Sequence, residues 1–170
     1  QARIGNLAMV GDVAEPVGTG MSDRTSLPQL IAVHARQTPQ AIAVICAGES
    51  LTYEALEQRA NRLAHELRSR GIGPEHRVGV ALERSVQTIV AFYAVLKAGA
   101  AYIPLDINYP RERLEWIIRD SGMSLLLTHS TMLARLPDVA SIQRLELDGL
   151  DPCAHPATGV QVPVLSEHLA

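Results

Sequence analysis

Apolar positions along this chain fall into two rhythms that alternate from end to end. Between residues 53 and 70, Tyr53, Leu56, Ala60, Leu63 and Leu67 share one helical stripe, with Glu54, Glu57, Arg62 and Glu66 largely off it. That period predicts an amphipathic helix, with Thr52 at its N-cap and Gly71 as its stop. A shorter helix is expected over 27–37, with Pro28 in its first turn and an end at Thr38-Pro39, where the residue before proline is pushed out of helical geometry. Residues 86–98 are apolar on several faces, the pattern of a helix packed between layers. Leu114, Ile117 and Ile118 give residues 111–121 an inward face, and Glu115 and Arg119 an i,i+4 pair. Between these lie short runs rich in valine, isoleucine and leucine, which predict strands over 41–46, 77–83, 101–105, 124–128 and 142–147. Gly48-Glu49-Ser50 reads as a turn, and a short helical piece is expected over 131–136.

Strands alternating with helices at this spacing imply an α/β architecture with a mostly parallel sheet and flanking helices. Residues 1–26 carry Gly, Pro, Ser and Thr without a sustained period and read as a linker or leader. From Asp148 onward the chain is loop-rich, with Pro152, Pro156, Gly159 and Pro163. The expectation is one domain over 27–170, with the look of a fragment.

Composition narrows the chemistry. An apolar fraction of 47% and a charged fraction of 19% are those of a globular protein. A net charge of −3 gives no reason to expect a nucleic-acid partner. Lys97 is the one lysine, so any lysine-dependent step has a single candidate. Cys46 and Cys153 are far apart and lack metal-site spacing, which fits a reducing cytoplasm. The longest apolar run, Ile89 to Leu96, is too short to span a bilayer, and no secretory signal is visible.

No residue qualifies as a catalytic, cofactor-binding or metal-binding candidate on pattern alone. Gly18-Thr19-Gly20 lacks the third glycine of a dinucleotide fingerprint, and Gly71-Ile72-Gly73-Pro74 follows a helix where a phosphate cradle would open one. His34, His65, His76, His129, His155 and His168 show no ligand spacing, and each reads as an ordinary surface or core histidine. Asp106 and Asn108 offer oxygens for Mg²⁺ but more simply form a turn. Asp148, Asp151 and Glu167 make no spaced acid–base pair, and no GxSxG elbow occurs. Lys97 reads as a cation in the last turn of a helix, facing the negative end of the dipole, with Gly99 as the stop beyond it.

Two motifs carry a resemblance. Leu96-Lys97-Ala98-Gly99-Ala100-Ala101-Tyr102-Ile103-Pro104-Leu105-Asp106 is similar, at each fixed position, to the LKAGxAYxPLD motif of nonribosomal peptide synthetase adenylation domains. Upstream, Leu51-Thr52-Tyr53-Glu54-Ala55-Leu56 resembles their LTYxEL motif. Thr38 to Val44, Asn61-Arg62-Leu63-Ala64 and Tyr109 to Leu114 add to the likeness, which runs from Leu27 to Ala170. One departure is Ala55, where the family has a glutamate that would close a capping box with Thr52. Residues 1–12 look like the stretch that joins a condensation domain to an adenylation domain.

The resemblance implies the N-terminal part of the large lobe of an adenylate-forming enzyme. Such a parent uses ATP and Mg²⁺ to convert an amino acid to its adenylate and passes the acyl group to the phosphopantetheine thiol of a carrier domain. It also implies neighbouring condensation and carrier domains. Leu165 to Ala170 resembles the strand leading into the family's triphosphate loop, so the catalytic residues are expected downstream and none is placed on this chain. The isolated chain is then expected to be inactive. Alternatives are another acyl- or aryl-activating ligase and a non-catalytic α/β docking module.

Overall fold

The structure, a computed structural model, describes residues 26–138, 142–151, 154–160 and 162. The expected linker, Cys153, His168 and the strand-like 165–170 lie outside the described residues but for Ser26. The elements are α1 (Leu27–Gln37), β1 (Ile42–Cys46), β2 (Glu49–Thr52), α2 (Tyr53–Ser69), β3 (Arg77–Ala81), α3 (Val86–Lys97), β4 (Ala101–Pro104), α4 (Arg111–Ser121), β5 (Leu125–Thr128) and β6 (Gln143–Glu146). Short 3₁₀ turns follow β5 (Ser130–Arg135) and β6 (Leu147–Gly149).

Four strands form one parallel sheet in the order β4-β3-β5-β6. The chain leaves β3 through α3 to reach β4, then crosses back through α4 to β5 on the far side of β3. Right-handed crossovers running in opposite directions put their helices on opposite faces. The core divides accordingly. Leu56, Leu63, Leu67, Val90, Ala94, Leu125 and Leu127 join α2, α3 and one sheet face. Leu105, Leu114, Ile118, Met123 and Leu126 close the other face beneath α4. The α/β expectation therefore holds, in a three-layer arrangement.

Helix ends follow from local chemistry. The Thr52 hydroxyl accepts the Ala55 N–H at 3.2 Å, so Thr52 is the N-cap of α2 as its sequence implies. The α2 end is a Schellman motif: Ile72 N–H donates to Leu67 O at 3.0 Å, Gly71 N–H to Arg68 O at 2.9 Å, and Gly71 sits at φ +83°. The end of α3 repeats it, with Ala100 to Val95 O at 3.1 Å, Gly99 to Leu96 O at 3.0 Å, and Gly99 at φ +82°. A Cβ on Gly99 would stand 2.9 Å from Val162 Cγ1, so both the backbone and the space require glycine. The conspicuous Leu96–Asp106 motif is thus a helix end, a left-handed glycine and the strand β4, which forms one edge of the four-stranded sheet.

Two expectations need correction. Glu49 and Ser50 are strand, not turn: β2 pairs antiparallel with β1 through Ile45↔Ser50 and Cys46↔Glu49. The reversal is the dipeptide Ala47-Gly48, both at positive φ (50° and 85°), as a tight two-residue hairpin demands. Glu57 is no outward charge either. Its side chain is 19% exposed and turned toward α3, where it meets Lys97.

Candidate functional site at the carboxyl edge of the sheet

The residues after β3, β5 and β6 gather at one end of the parallel sheet, and a cavity of about 460 Å³ opens there on the α2/α3 side. Its floor is apolar, from Leu63 of α2, Val90 of α3, Leu147 and Leu150. Its polar wall comes from Arg59, Arg62 and Glu66 on α2, Gln87 in the first turn of α3, His129 just past β5, Asp148 and Asp151 past β6, and His155. Between β3 and β5 the outgoing connections turn to opposite faces. Such a divergence at the carboxyl ends of parallel strands is where open α/β sheets place ligands.

Much of the wall is held by internal pairing. Glu66 takes Arg70 Nε on Oε1 and His155 Nε2 on Oε2, each at 2.6 Å. Burial by itself raises the Glu66 pKa, but the hydrogen bonds and charges of Arg70 and His155 outweigh it and leave the carboxyl below its ordinary value. Asp148 accepts the Ser130 N–H at 2.9 Å and the Ser130 hydroxyl, and these bonds, the hydroxyl's first, hold its pKa down. Residues 154–160, of which Ala154 and His155 line the cavity, form a strap along α2. Three α2 side chains hold it: Asn61 Nδ2 donates to Ala157 O at 2.6 Å, His65 Nε2 to Thr158 O at 3.0 Å, and Glu66 takes His155.

The structure therefore brings His129, His155, Asp148 and Asp151 together, although their sequence spacing signalled nothing. The other weighed residues go elsewhere. His34 stacks on Tyr53 with ring centroids 5.3 Å apart, and His76 Nδ1 donates to the Gly73 and Pro74 carbonyls at 3.2 Å. Asp106 Oδ1 accepts the backbone and side-chain N–H groups of Asn108, both at 2.9 Å, while Asn108 Oδ1 takes Arg135. That is turn chemistry. Among the described residues no three of His, Cys, Asp and Glu gather closely enough to hold a metal ion. Cys46 is a free thiol whose Sγ lies 3.7 Å from Arg84 O.

Lys97 lies away from the cavity, in a buried triad. Its Nζ reaches Glu57 Oε1 at 2.6 Å and the Tyr93 hydroxyl at 3.3 Å, and Tyr93 donates to Glu57 Oε2 at 2.5 Å. The Lys97 side chain is 7% exposed. Burial, then the neighbouring Glu57 carboxylate, drives the Tyr93 pKa upward, so the phenol keeps its proton. Lys97 is thus a strut between α2 and α3 rather than a cation answering only its own helix dipole.

Comparison with known proteins bears on what this frame belongs to. The family model described as AMP-binding enzyme matches residues 31–167. The chain is 38% identical over 142 residues to gramicidin S synthase 2 of Brevibacillus brevis, covering 84% of this chain and 3% of that protein. It is 46% identical over 134 residues to phosphinothricin tripeptide synthetase PhsB of Streptomyces viridochromogenes, covering 78% and 11%. Among solved structures, the nonribosomal peptide synthetase FmoA3 with α-methyl-L-serine-AMP bound superposes with a TM-score of 0.76 at 33% identity, over 87% of this chain and 16% of that one. The N-terminal subdomain of NpsA from Klebsiella oxytoca shares the fold at 20% identity, with a TM-score of 0.73 over 85% and 36%. The chain thus spans a small part of the proteins it matches. With the family matched across 31–167 and both motifs inside that span, the chain belongs to the AMP-binding enzyme family, in its nonribosomal peptide synthetase branch.

Proposed function

We propose that this chain is the N-terminal part of an amino-acid-activating adenylation domain, with residues 27–170 in the large lobe and 1–26 as its leader. The parent reaction joins the amino-acid carboxylate to the α-phosphorus of ATP. The α–β phosphoanhydride bond breaks, and pyrophosphate leaves as the aminoacyl-adenylate forms. A carrier-domain phosphopantetheine thiol then takes the acyl group and AMP departs. Mg²⁺ would assist the first step, with ligands drawn from outside the described residues. The compartment would be the cytoplasm, with condensation and carrier domains as neighbours; no helix among the described residues is long and apolar enough to cross a membrane.

The observation that carries this reading is the family match over 31–167 together with the Leu96–Asp106 motif at the junction of α3 and β4. The contribution of this chain is scaffolding: it supplies a parallel sheet and packed helices against which a phosphate-binding site is mounted. Stabilising a transferring phosphoryl group takes preorganised cationic or N–H donors aimed at it, and no catalytic residue is placed on this chain. Amino-acid-dependent exchange of labelled pyrophosphate into ATP tests the proposal. The isolated chain should give background, and the longer polypeptide that contains it should turn over. Exchange by the chain alone would overturn the assignment of the chemistry to residues elsewhere.

A further inference from the structure

We propose that Asn61 is a positioning residue of the parent enzyme. Its carboxamide grips the main chain of the 154–160 strap and fixes where the polypeptide leaves residue 162 for the remainder of the lobe. The grip belongs to this chain alone, and its consequence for turnover rests on the adenylation reading.

The Asn61-Arg62-Leu63-Ala64 motif places an asparagine on a part of α2 that is otherwise apolar. Leu56, Ala60, Leu63, Ala64 and Leu67 are buried with it, and Asn61 itself is 3% exposed. Its Nδ2 donates to Ala157 O at 2.6 Å, 96 residues along the chain. A carbonyl can only accept, so this bond settles which way the amide points. Oδ1 is then left buried with no hydrogen-bond partner among the described residues. The other buried polar side chain among them, Thr128, donates to Ala81 O at 3.1 Å inside the sheet. An orphaned acceptor costs stability that an apolar side chain of the same shape would not. Folding alone therefore gives no reason for the amide. What it contributes is a directed bond to a distant segment.

That segment runs from one edge of the sheet toward the other. Ala154 and His155 line the cavity at the carboxyl edge, and Val160 packs on the core shared by α2 and α3. Val162 lies so close to Gly99, just before β4, that a Cβ there would stand 2.9 Å from its Cγ1. Midway, Asn61 holds Ala157 O, and His65 Nε2 donates to Thr158 O at 3.0 Å. Both grips fall on main-chain carbonyls, so they set the register of the strap whatever its side chains are. No catalytic residue is placed on this chain. Under the adenylation reading the reacting groups are held by polypeptide outside the described residues, and a strap that slips carries part of that polypeptide with it. Misplacing reacting groups by about 1 Å can cost about a hundredfold in rate.

The test is Asn61→Leu, which keeps the branched shape and removes both polar atoms. In the 170-residue chain the urea midpoint should hold, because the lost bond and the lost orphan offset each other. Amide hydrogen exchange of residues 157–160 should quicken at least about tenfold. In the longer polypeptide, amino-acid-dependent pyrophosphate exchange should show kcat at least about tenfold lower. KM for ATP and for the amino acid should stay within about twofold, since no group touching either substrate has changed. In the unaltered chain the Asn61 carboxamide protons should exchange slowly by NMR, a check that needs no variant. Rapid exchange of those protons, or unchanged protection of 157–160 in Asn61→Leu, would overturn the grip. A loosened strap with undiminished kcat would overturn the positioning role. An unaltered longer polypeptide that gives no pyrophosphate exchange would overturn the adenylation reading and with it the role in turnover, while the hydrogen-exchange measurements still decide the grip.

Discussion

Lys97 shows how far a single residue can be read before its partners are known. Its place in the last turn of α3 and the glycine stop beyond it were legible, because both depend on neighbours in sequence. Its partner Glu57 lies forty residues away on α2, and only the packing of the two helices brings them together. A salt bridge this deep owes little to attraction alone, since both ions lost water on burial; what matters is the cost of leaving one behind. Lys97→Met should therefore destabilise the chain by about 3 kcal/mol, because Glu57 would be left with only the Tyr93 hydroxyl as its partner. In a Glu57→Gln background the same substitution should cost far less. A double-mutant cycle from urea denaturation reads the difference. Equal costs in the two backgrounds would mean that the pair is not coupled.

At the scale of elements, helices were easier to read than strand ends. The apolar stripe of α2, its threonine cap and its glycine stop are all local, and they agree. The cap of α1 had a local signature too: Gln29, three residues after Ser26, accepts the Ser26 N–H on its side chain at 2.9 Å, half of the exchange that an S-x-x-Q sequence announces. β2 was hidden because Glu49 and Ser50 have turn-forming chemistry and become strand only by pairing with Cys46 and Ile45. The reversal itself falls on Ala47, a residue with a Cβ held at φ 50°. That conformation costs an L-residue about 1–2 kcal/mol, a cost asparagine largely escapes. Ala47→Asn would create Asn-Gly at the bend and should stabilise the chain by about 1 kcal/mol. The shift should appear in the urea midpoint with an unchanged slope; a loss of stability would argue against the strained-turn reading.

At the scale of the whole molecule, the cavity was invisible in the sequence because its lining comes from α2, the start of α3, and the segments after β5 and β6, which no spacing rule connects. Glu66 joins these distant parts most directly. It sits on α2, takes Arg70 from just past the same helix and His155 from the strap, and thereby ties residues 154–160 to the first half of the chain. Burial raises its pKa, and the two partners more than reverse that, so the folded carboxyl titrates below its unfolded value. A depressed acid adds stability that is fully present above the unfolded pKa and disappears as pH falls through the folded one. Glu66→Gln should thus cost about 1–2 kcal/mol at neutral pH, the worth of hydrogen bonds to a charged group. The gap between the two proteins should close as pH drops below about 4. Urea midpoints across the acid range measure it. Hydrogen exchange adds a spatial check, because the variant should lose protection first in residues 154–160. A gap that stayed constant down to low pH would assign the loss to packing and not to the carboxylate.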